Sequence, residues 1–329
     1  MKSRAQELKG KRFDTVYFGG GTPSFVDPKY ILGAMRLARQ CFTLSENAEV
    51  TLEVNPGTID RNKLRIYKMA GINRFSIGMQ SADDKMLAKL GRIHTSKDFL
   101  DACKILSGYN LSADIMIGLY DQTTEDVKKS IDLAIEGGVN HISCYALTPE
   151  VGTPIYTNYL NGELPSGDET AELYDYAVAY LKENGYLRYE VSNFAKVGYE
   201  SKHNLNYWKR GEYIGLGVSA SSFIGERRFT NSFSIDEYIH CMLHDKYAEI
   251  SSDNIEKQDR NFEFLMLALR TTYGVNLLEY KKAFGTDFLL DYKDALKRQE
   301  KYLQIDSERV CIKDEYLFVQ NNIIIDFMG

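Results

Sequence analysis

The sequence predicts an α/β fold: a parallel sheet, curled into a barrel or left open, followed by a small domain of helices and a hairpin. Three observations predict it. Short runs of β-branched and apolar residues alternate with amphipathic stretches through the first half of the 329-residue chain, the rhythm of βαβ units. Glycines and polar side chains collect at the ends of the apolar runs, where barrel folds build their sites. The C-terminal part then changes to helical periodicity and ends in a hairpin-like pattern.

The first run, Asp14–Phe18, opens directly into Gly19, Gly20 and Gly21 and then Thr22-Pro23. Consecutive glycines let backbone N–H and C=O groups approach a ligand unobstructed, although such a turn also serves simply to reverse the chain. No Gly-Lys-Ser/Thr follows, so it is not a P-loop, and it does not fit GxGxxG. Further strand-like runs are Glu49–Val54, Asn73–Ile77, Ser112–Ile117 and His141–Ala146. In TTEDVKKSIDLAIEGG, Val127, Ile131, Ala134 and Ile135 fall on one helical face. Thr123 with Asp126 reads as its capping box, and Gly137-Gly138 as its stop. ETAELYDYAVAYLKENG repeats the pattern with Tyr174, Ala177, Val178 and Leu181. Glu53, Gln80 and Asp114 stand in or just past successive strands, so a barrel would bring them to one face. Farther on, NFEFLMLALRTTYGV and LLDYKDALKRQEKYLQI read as helices and ERVCIKDEYLFVQNNIIIDF as a hairpin, suggesting a winged-helix-like domain.

Composition narrows the function classes. Forty basic against 46 acidic residues give a net charge of −6, so no global positive field draws in nucleic acid. No stretch approaches the roughly 20 apolar residues that span a bilayer, and MKSRAQELKGKRF has no apolar core of a secretory signal. Cys41, Cys103, Cys144, Cys241 and Cys311 are far apart, without zinc or redox spacing. They read as reduced thiols of a cytoplasmic protein.

Taken in order, FGGGTPS, LEVNPG, RFSIGMQS, LGRIH, DIMIGL, SCYALTPE, RYEVSNFA, HNLNYW and GLGVSA run nearly from end to end of the chain. In these segments it resembles the radical S-adenosylmethionine (SAM) proteins of the coproporphyrinogen dehydrogenase and heme chaperone group. The resemblance implies a partial radical SAM (β/α) barrel over residues 1–235 with its extension, lacking the first strand, and a C-terminal helical, winged-helix-like domain over 236–329. It also implies roles. Gly20, Gly21 and Thr22 would meet the methionyl end of SAM, where exposed backbone offers both donors and acceptors. Glu53 would accept from the cofactor's ammonium or hydroxyls, Asp114 from its hydroxyls. Gln80 and Arg92 would reach SAM, a guanidinium suiting its carboxylate, and Ala146 would lie against the adenosine. Read singly, Glu53 and Asp114 are equally buried carboxylates tied to backbone, and Arg92 an ordinary surface arginine.

In one respect the chain departs from that group. The group holds a [4Fe–4S] cluster on a CxxxCxxC loop upstream of the glycine turn, and the thiolates hold the cluster. Here the first cysteine, Cys41, follows the turn, and residues 1–9 resemble the end of the helix after the cysteine loop. The expectation is a truncated chain that makes no radical by itself.

HNLNYW, residues 203–208, matches the H-N-x-x-Y-W pattern of the heme-chaperone branch. By that resemblance His203 is an axial ligand for heme iron, a role that suits a neutral imidazole, with Tyr207 and Trp208 flanking the macrocycle. Outside that context it is a packed or capping histidine. HISCY reads as core strand, and His94 as a residue that shapes the Arg92 turn. His240 and His244, one helical turn apart with no further ligand, read as a surface helix. The expected function is a heme chaperone that binds heme and passes it to an apo-hemoprotein, with peripheral association with a membrane-bound recipient. Cluster and SAM would play supporting or regulatory parts. The alternative is an oxygen-independent coproporphyrinogen III dehydrogenase, oxidising propionate side chains to vinyl groups with SAM-derived radical chemistry. A third is a binding module that kept the fold alone.

Overall fold

The computed structural model describes residues 1–244 and 247–328, apart from the side chains of Lys257 and Gln258. The chain divides into two compact units. One comprises Arg12–Gln40 and Leu44–Lys202; the other collects Met1–Lys11, Cys41–Thr43 and residues from His203 onward.

The first unit is built on a curled seven-stranded sheet. Its strands are β1 (Arg12–Phe18), β2 (Thr43–Val54), β3 (Arg74–Gln80), β4 (Asn110–Ile117), β5 (His141–Ala146), β6 (Leu187–Arg188) and β7 (Asn193–Ala195). They lie in the order β1-β2-β3-β4-β5-β7-β6. The pairs β2–β3, β3–β4 and β4–β5 are parallel, and β7 returns antiparallel to β5. Alternation along the strands decides what each face does. Leu52, Val54, Phe75, Ile77, Met79, Ala113, Ile115, Ile142 and Cys144 are buried, as are Val127, Ile131, Ala134, Ala177 and Leu181 of helices Thr124–Glu136 and Gly167–Glu183. Each large apolar side chain so buried contributes about 1.5–3 kcal/mol. The alternate residues are polar: Glu53, Arg74, Ser76, Ser112, Asp114, His141 and Ser143, with Glu53 beside Ser76 and Asp114 beside Ser143 in register.

Both long helices start as the sequence predicts. Thr123 and Asp126 form a reciprocal capping box, and Ser166 and Glu169 form another. Tyr186–Lys202 is tied down by buried polar contacts. His141, 1 % exposed, lies 2.7 Å from Ser112 Oγ through Nδ1 and 2.8 Å from Tyr189 Oη through Nε2. Burial and the nearby Arg74 charge push its pKa well down. Glu190, fully buried, accepts from Ser192 N and from Asn193 Nδ2, yet burial pushes its pKa up to about 7.

The second unit holds two small antiparallel sheets. The first joins β8 (Ser221–Ile224), β9 (Arg227–Asn231) and β10 (Glu249–Asn254). Against it, Arg4 is buried over the rings of Phe229 and Tyr247, at 4.7 and 4.3 Å from their centroids, and pairs with Glu7 and Glu249. The other sheet, β11 (Val275–Asn276), β12 (Leu303–Ile305) and β13 (Arg309–Ile312), has the order β11-β13-β12. A core of its own fills this part, with Leu265, Leu269, Val275, Tyr280, Phe288, Val310 and Phe327.

Two local expectations change here. The hairpin lies earlier than expected: it pairs β12, at the end of the stretch read as helix, with β13. The segment after it is helical: a 3-10 turn at Asp314–Val319, a helix at Gln320–Ile324 and a second 3-10 turn at Ile325–Phe327. The apolar run NNIIIDF buries Ile323, Ile324 and Phe327 from helical positions, where strand alternation would have turned half of it outward. The stretch expected as one helix from Leu289 breaks into Phe288–Asp291 and Lys293–Gln299.

Candidate functional site

The glycine turn leaves the carboxyl end of β1. Gly20 has φ +109°, a conformation open to glycine. A Cβ built on Gly20 or on Gly21 meets nothing within 4 Å, so an exposed backbone surface lies open there. Gly19 is glycine for a different reason: a Cβ would come within 2.7 Å of the Tyr17 ring and 2.9 Å of Glu53 Oε1.

From this turn a line of polar side chains crosses the sheet. Tyr17 Oη donates to Glu53 Oε1 at 2.7 Å, and the Gly20 backbone N–H donates to the same carboxylate. Burial raises the Glu53 pKa, and these two donors oppose the rise. Asp114 is raised further, to about 6, by burial and by the Glu53 charge, against hydrogen bonds from Ser143 and Ser76 and the charge of Arg74. Ser76 Oγ stands 3.4 Å from Asp114 Oδ1. On the far side, Tyr145 Oη donates to Gln80 Oε1 at 3.1 Å. Burial, then the Asp114 charge, push the Tyr145 pKa up to about 12, and Arg92 opposes this.

Gly20, Glu53, Asp114, Gln80 and Arg92 are therefore members of one electrostatically connected group. Ala146 follows Tyr145 at the end of β5, paired with Ile117. Thr22 is held by Asn55, the residue after β2, whose Nδ2 donates to Thr22 Oγ1 at 3.1 Å. Gln80 is held in place by an unusual backbone: φ is +69°, after a register shift between Ile77 and Gln80. Reading the sequence missed Tyr17, Tyr145 and Arg74. The signal for the tyrosines was alternation: Tyr17 sits two residues before Gly19, and Tyr145 in line with His141 and Ser143.

This arrangement fits SAM. An open backbone cradle offers donors and acceptors to a zwitterionic amino acid, and two carboxylates a few residues along the sheet suit ribose hydroxyls. A [4Fe–4S] cluster does not fit the residues present. Among the described residues no three His, Cys, Asp or Glu side chains stand together as metal ligands, and Cys103, Cys144 and Cys311 are buried.

His203 and Tyr207 lie on the helix Lys202–Trp208. Four residues apart, they share one face: His203 Nε2 is 2.9 Å from Tyr207 Oη, and the rings meet edge to face at 5.0 Å. Trp208 is five residues from His203, about 140° around the helix, so the helix pairs the imidazole with the tyrosine and not with the indole. Iron ligation at Nε2 would replace the Tyr207 contact. His240 and His244, on helix Ile235–His244, have ring centroids 4.6 Å apart, while His94 is buried with Nε2 3.2 Å from Met79 O.

Comparison with known proteins identifies the family. Residues 1–134 match the Radical SAM superfamily, and residues 255–318 match the HemN C-terminal domain. The chain is 30 % identical to heme chaperone HemW of Lactococcus lactis, over 98 % of its own length and 86 % of the relative's. It is 32 % identical to heme chaperone HemW of Bacillus subtilis, over 96 % and 85 %. The identity to the Escherichia coli HemW is 34 %, over 83 % and 72 %. Among solved structures, the radical SAM enzyme coproporphyrinogen III oxidase (HemN) of Escherichia coli superposes with a TM-score of 0.84 over 99 % of this chain and 80 % of that one. At 19 % identity that likeness speaks for the fold.

Proposed function

Because this chain belongs to the HemW family of heme chaperones, within the radical SAM superfamily, we propose that it binds heme and releases it to an apo-hemoprotein. What carries the reading is kinship over nearly the whole chain with relatives named for that activity. His203 is the proposed iron ligand, with Tyr207 against the macrocycle and Trp208 on the adjoining face. Support comes from the helix that presents the imidazole and the phenol together, with Tyr207 38 % exposed.

The second part of the proposal is a SAM site at the carboxyl end of the sheet. Gly20, Gly21 and Thr22 take the methionyl group; Glu53 and Asp114 accept from ammonium and hydroxyls; Gln80 and Arg92 reach the polar end; Ala146 packs on the adenine side. Bound there, SAM supplies a sulfonium centre, and the protein's own contribution is to hold and shield it. The division into a barrel part over 1–235 and a C-terminal part over 236–329 is proposed on the same grounds, supported by the separate core around Tyr280.

No described helix is long and apolar enough to cross a membrane. We place the protein in the cytoplasm, meeting a membrane-bound recipient from its surface. The test is a hemin titration followed by absorbance on this chain and on His203→Ala. Saturable binding with a shifted Soret band, lost in the variant, supports the reading. Equal, unsaturable binding by both removes it.

A further inference from the structure

The second unit contains a cleft of about 1110 Å³ that none of the contacts above accounts for. Its floor is aromatic. The Tyr280 ring lies 6.1, 4.8 and 6.3 Å from those of Phe264, Phe284 and Tyr292, and Phe264 meets Phe284 at 5.5 Å. Its rim is charged, and the charges differ in how they are engaged. Arg210 is committed to Glu226 at 3.1 Å and to Glu263 at 2.7 Å. Asp291 already accepts from the Tyr280 and Thr286 hydroxyls, at 2.8 and 2.5 Å. Arg260 is 3.4 Å from Glu226, with 38 % of its side chain exposed, and its Nε makes no hydrogen bond. Lys209 is exposed and has no ion pair among the described residues. Glu256 is an exposed acid on the same rim.

The cleft lies in the same unit as the proposed heme ligand, and a series of contacts connects the two. His203 meets Tyr207, Tyr207 meets Tyr213 at 4.7 Å, and Tyr213 meets Phe223 at 6.4 Å. The Arg210 guanidinium lies over Phe223, 4.8 Å from its centroid, and Arg210 lines the cleft. A series of ring contacts thus leads from the imidazole to Phe223, and Arg210 links Phe223 to the cleft.

The geometry points to this cleft as a second tetrapyrrole site, one that holds the macrocycle and its carboxylates without touching the iron. Half-buried rings of Phe264, Phe284 and Tyr292 offer faces and edges for stacking. Arg260 and Lys209 offer charge to propionates. The lining has no His, Cys or Met, and stacking and charge pairing act on the ring and its carboxylates with or without iron. The volume suits a ligand of this size, since small-molecule sites run to about 1,000 Å³. The inference rests on the reading that the chain handles heme, and it gives that cargo a place to rest on its way to or from His203.

The probe that separates the two sites is protoporphyrin IX, which lacks iron, titrated against the full chain by fluorescence. The wild-type chain should bind it saturably, and His203→Ala should bind it equally well. Phe284→Ser should weaken binding about fivefold or more through lost stacking. Lys209→Glu with Arg260→Glu, both outside the hydrophobic core, should do the same and should abolish the preference for the diacid over its dimethyl ester. If the cleft variants bind like wild type, or if His203→Ala alone removes protoporphyrin binding, the cleft site is wrong while the heme reading stands. If hemin gives a His203-dependent Soret shift but protoporphyrin IX does not bind, the cleft falls alone. If the wild-type chain binds neither compound, both fall together.

Discussion

If Asp114 holds SAM as proposed, SAM binding should depend on pH in a range where most carboxylates are silent. Its pKa is raised to about 6 by burial and by the charge of Glu53. If the carboxylate must be ionised to accept the cofactor's hydroxyls, affinity follows the ionised fraction. With a pKa of about 6, roughly nine-tenths of the groups are ionised at pH 7 and roughly one-tenth at pH 5. The dissociation constant should therefore rise about tenfold over those two units, equivalent to about 1.4 kcal/mol. Glu53, also raised, adds to the acid limb; Glu53→Gln removes that part and, by deleting a charge that raises Asp114, should move the remaining slope to lower pH. Isothermal titration with SAM between pH 5 and 8, on the chain and on Asp114→Asn, measures the effect. Asp114→Asn should bind more weakly at pH 7 and lose most of the acid-side slope. A wild-type affinity that stays flat from pH 7 to pH 5, or a slope untouched in Asp114→Asn, refutes the assignment.

Four other outcomes follow from the same structure. Gly20→Ala should lower the melting temperature, because φ +109° strains any side chain at a cost of about 1–3 kcal/mol. Gly21→Ala, where an added Cβ meets nothing, should melt normally and still lose SAM affinity if the cofactor lies against that backbone. Tyr207→Phe keeps the ring but deletes the hydroxyl 2.9 Å from His203 Nε2. It should tighten hemin binding severalfold, since a hydrogen bond worth about 1 kcal/mol no longer competes with iron; weaker binding would mean that the hydroxyl orients the ligand. Glu190 carries a pKa of about 7 against 4.5 for the ordinary group, so the folded chain keeps a proton that the unfolded chain releases. Its contribution is full below about pH 4.5 and lost as the pH rises towards 7, by up to about 3 kcal/mol. Glu190→Gln should therefore be more stable than wild type at pH 8 in urea unfolding, and should show a flatter stability profile between pH 5 and 8.

How legible was this molecule in its sequence? The parallel strands were, because one face of each is apolar and period-two burial leaves an unmistakable trace in Leu52/Val54 or Ile142/Cys144. Helix starts were legible where Thr123 and Asp126 spell out both halves of a cap. The short returning strands Leu187–Arg188 and Asn193–Ala195 were not, since two or three residues carry no period. NNIIIDF misled because a brief apolar run is equally strand or buried helix. At the SAM site the sequence indicated the carboxylates and the glycines. It did not indicate Arg74, an arginine 3 % exposed whose charge acts on Asp114, Tyr17 and His141 together. Burial of such a group follows from what surrounds it in three dimensions, and no local pattern encodes that.

The assembly of the second unit from separated pieces of chain has a consequence for biosynthesis. Arg4 precedes the sheet of β1 to β7 in the chain, yet its carboxylate partner Glu249 is 245 positions later. A guanidinium is costly to bury without a counter-ion, so this N-terminal segment must stay solvated while the sheet of β1 to β7 emerges behind it. Domains generally fold as they are synthesised, N-terminal parts first; here a segment made before the sheet finds its place only after it. A ribosome stalled before Glu249 would thus display a nascent chain with an ordered sheet and a loose segment ahead of it, and that loose segment is where a holding chaperone or a protease would first take hold.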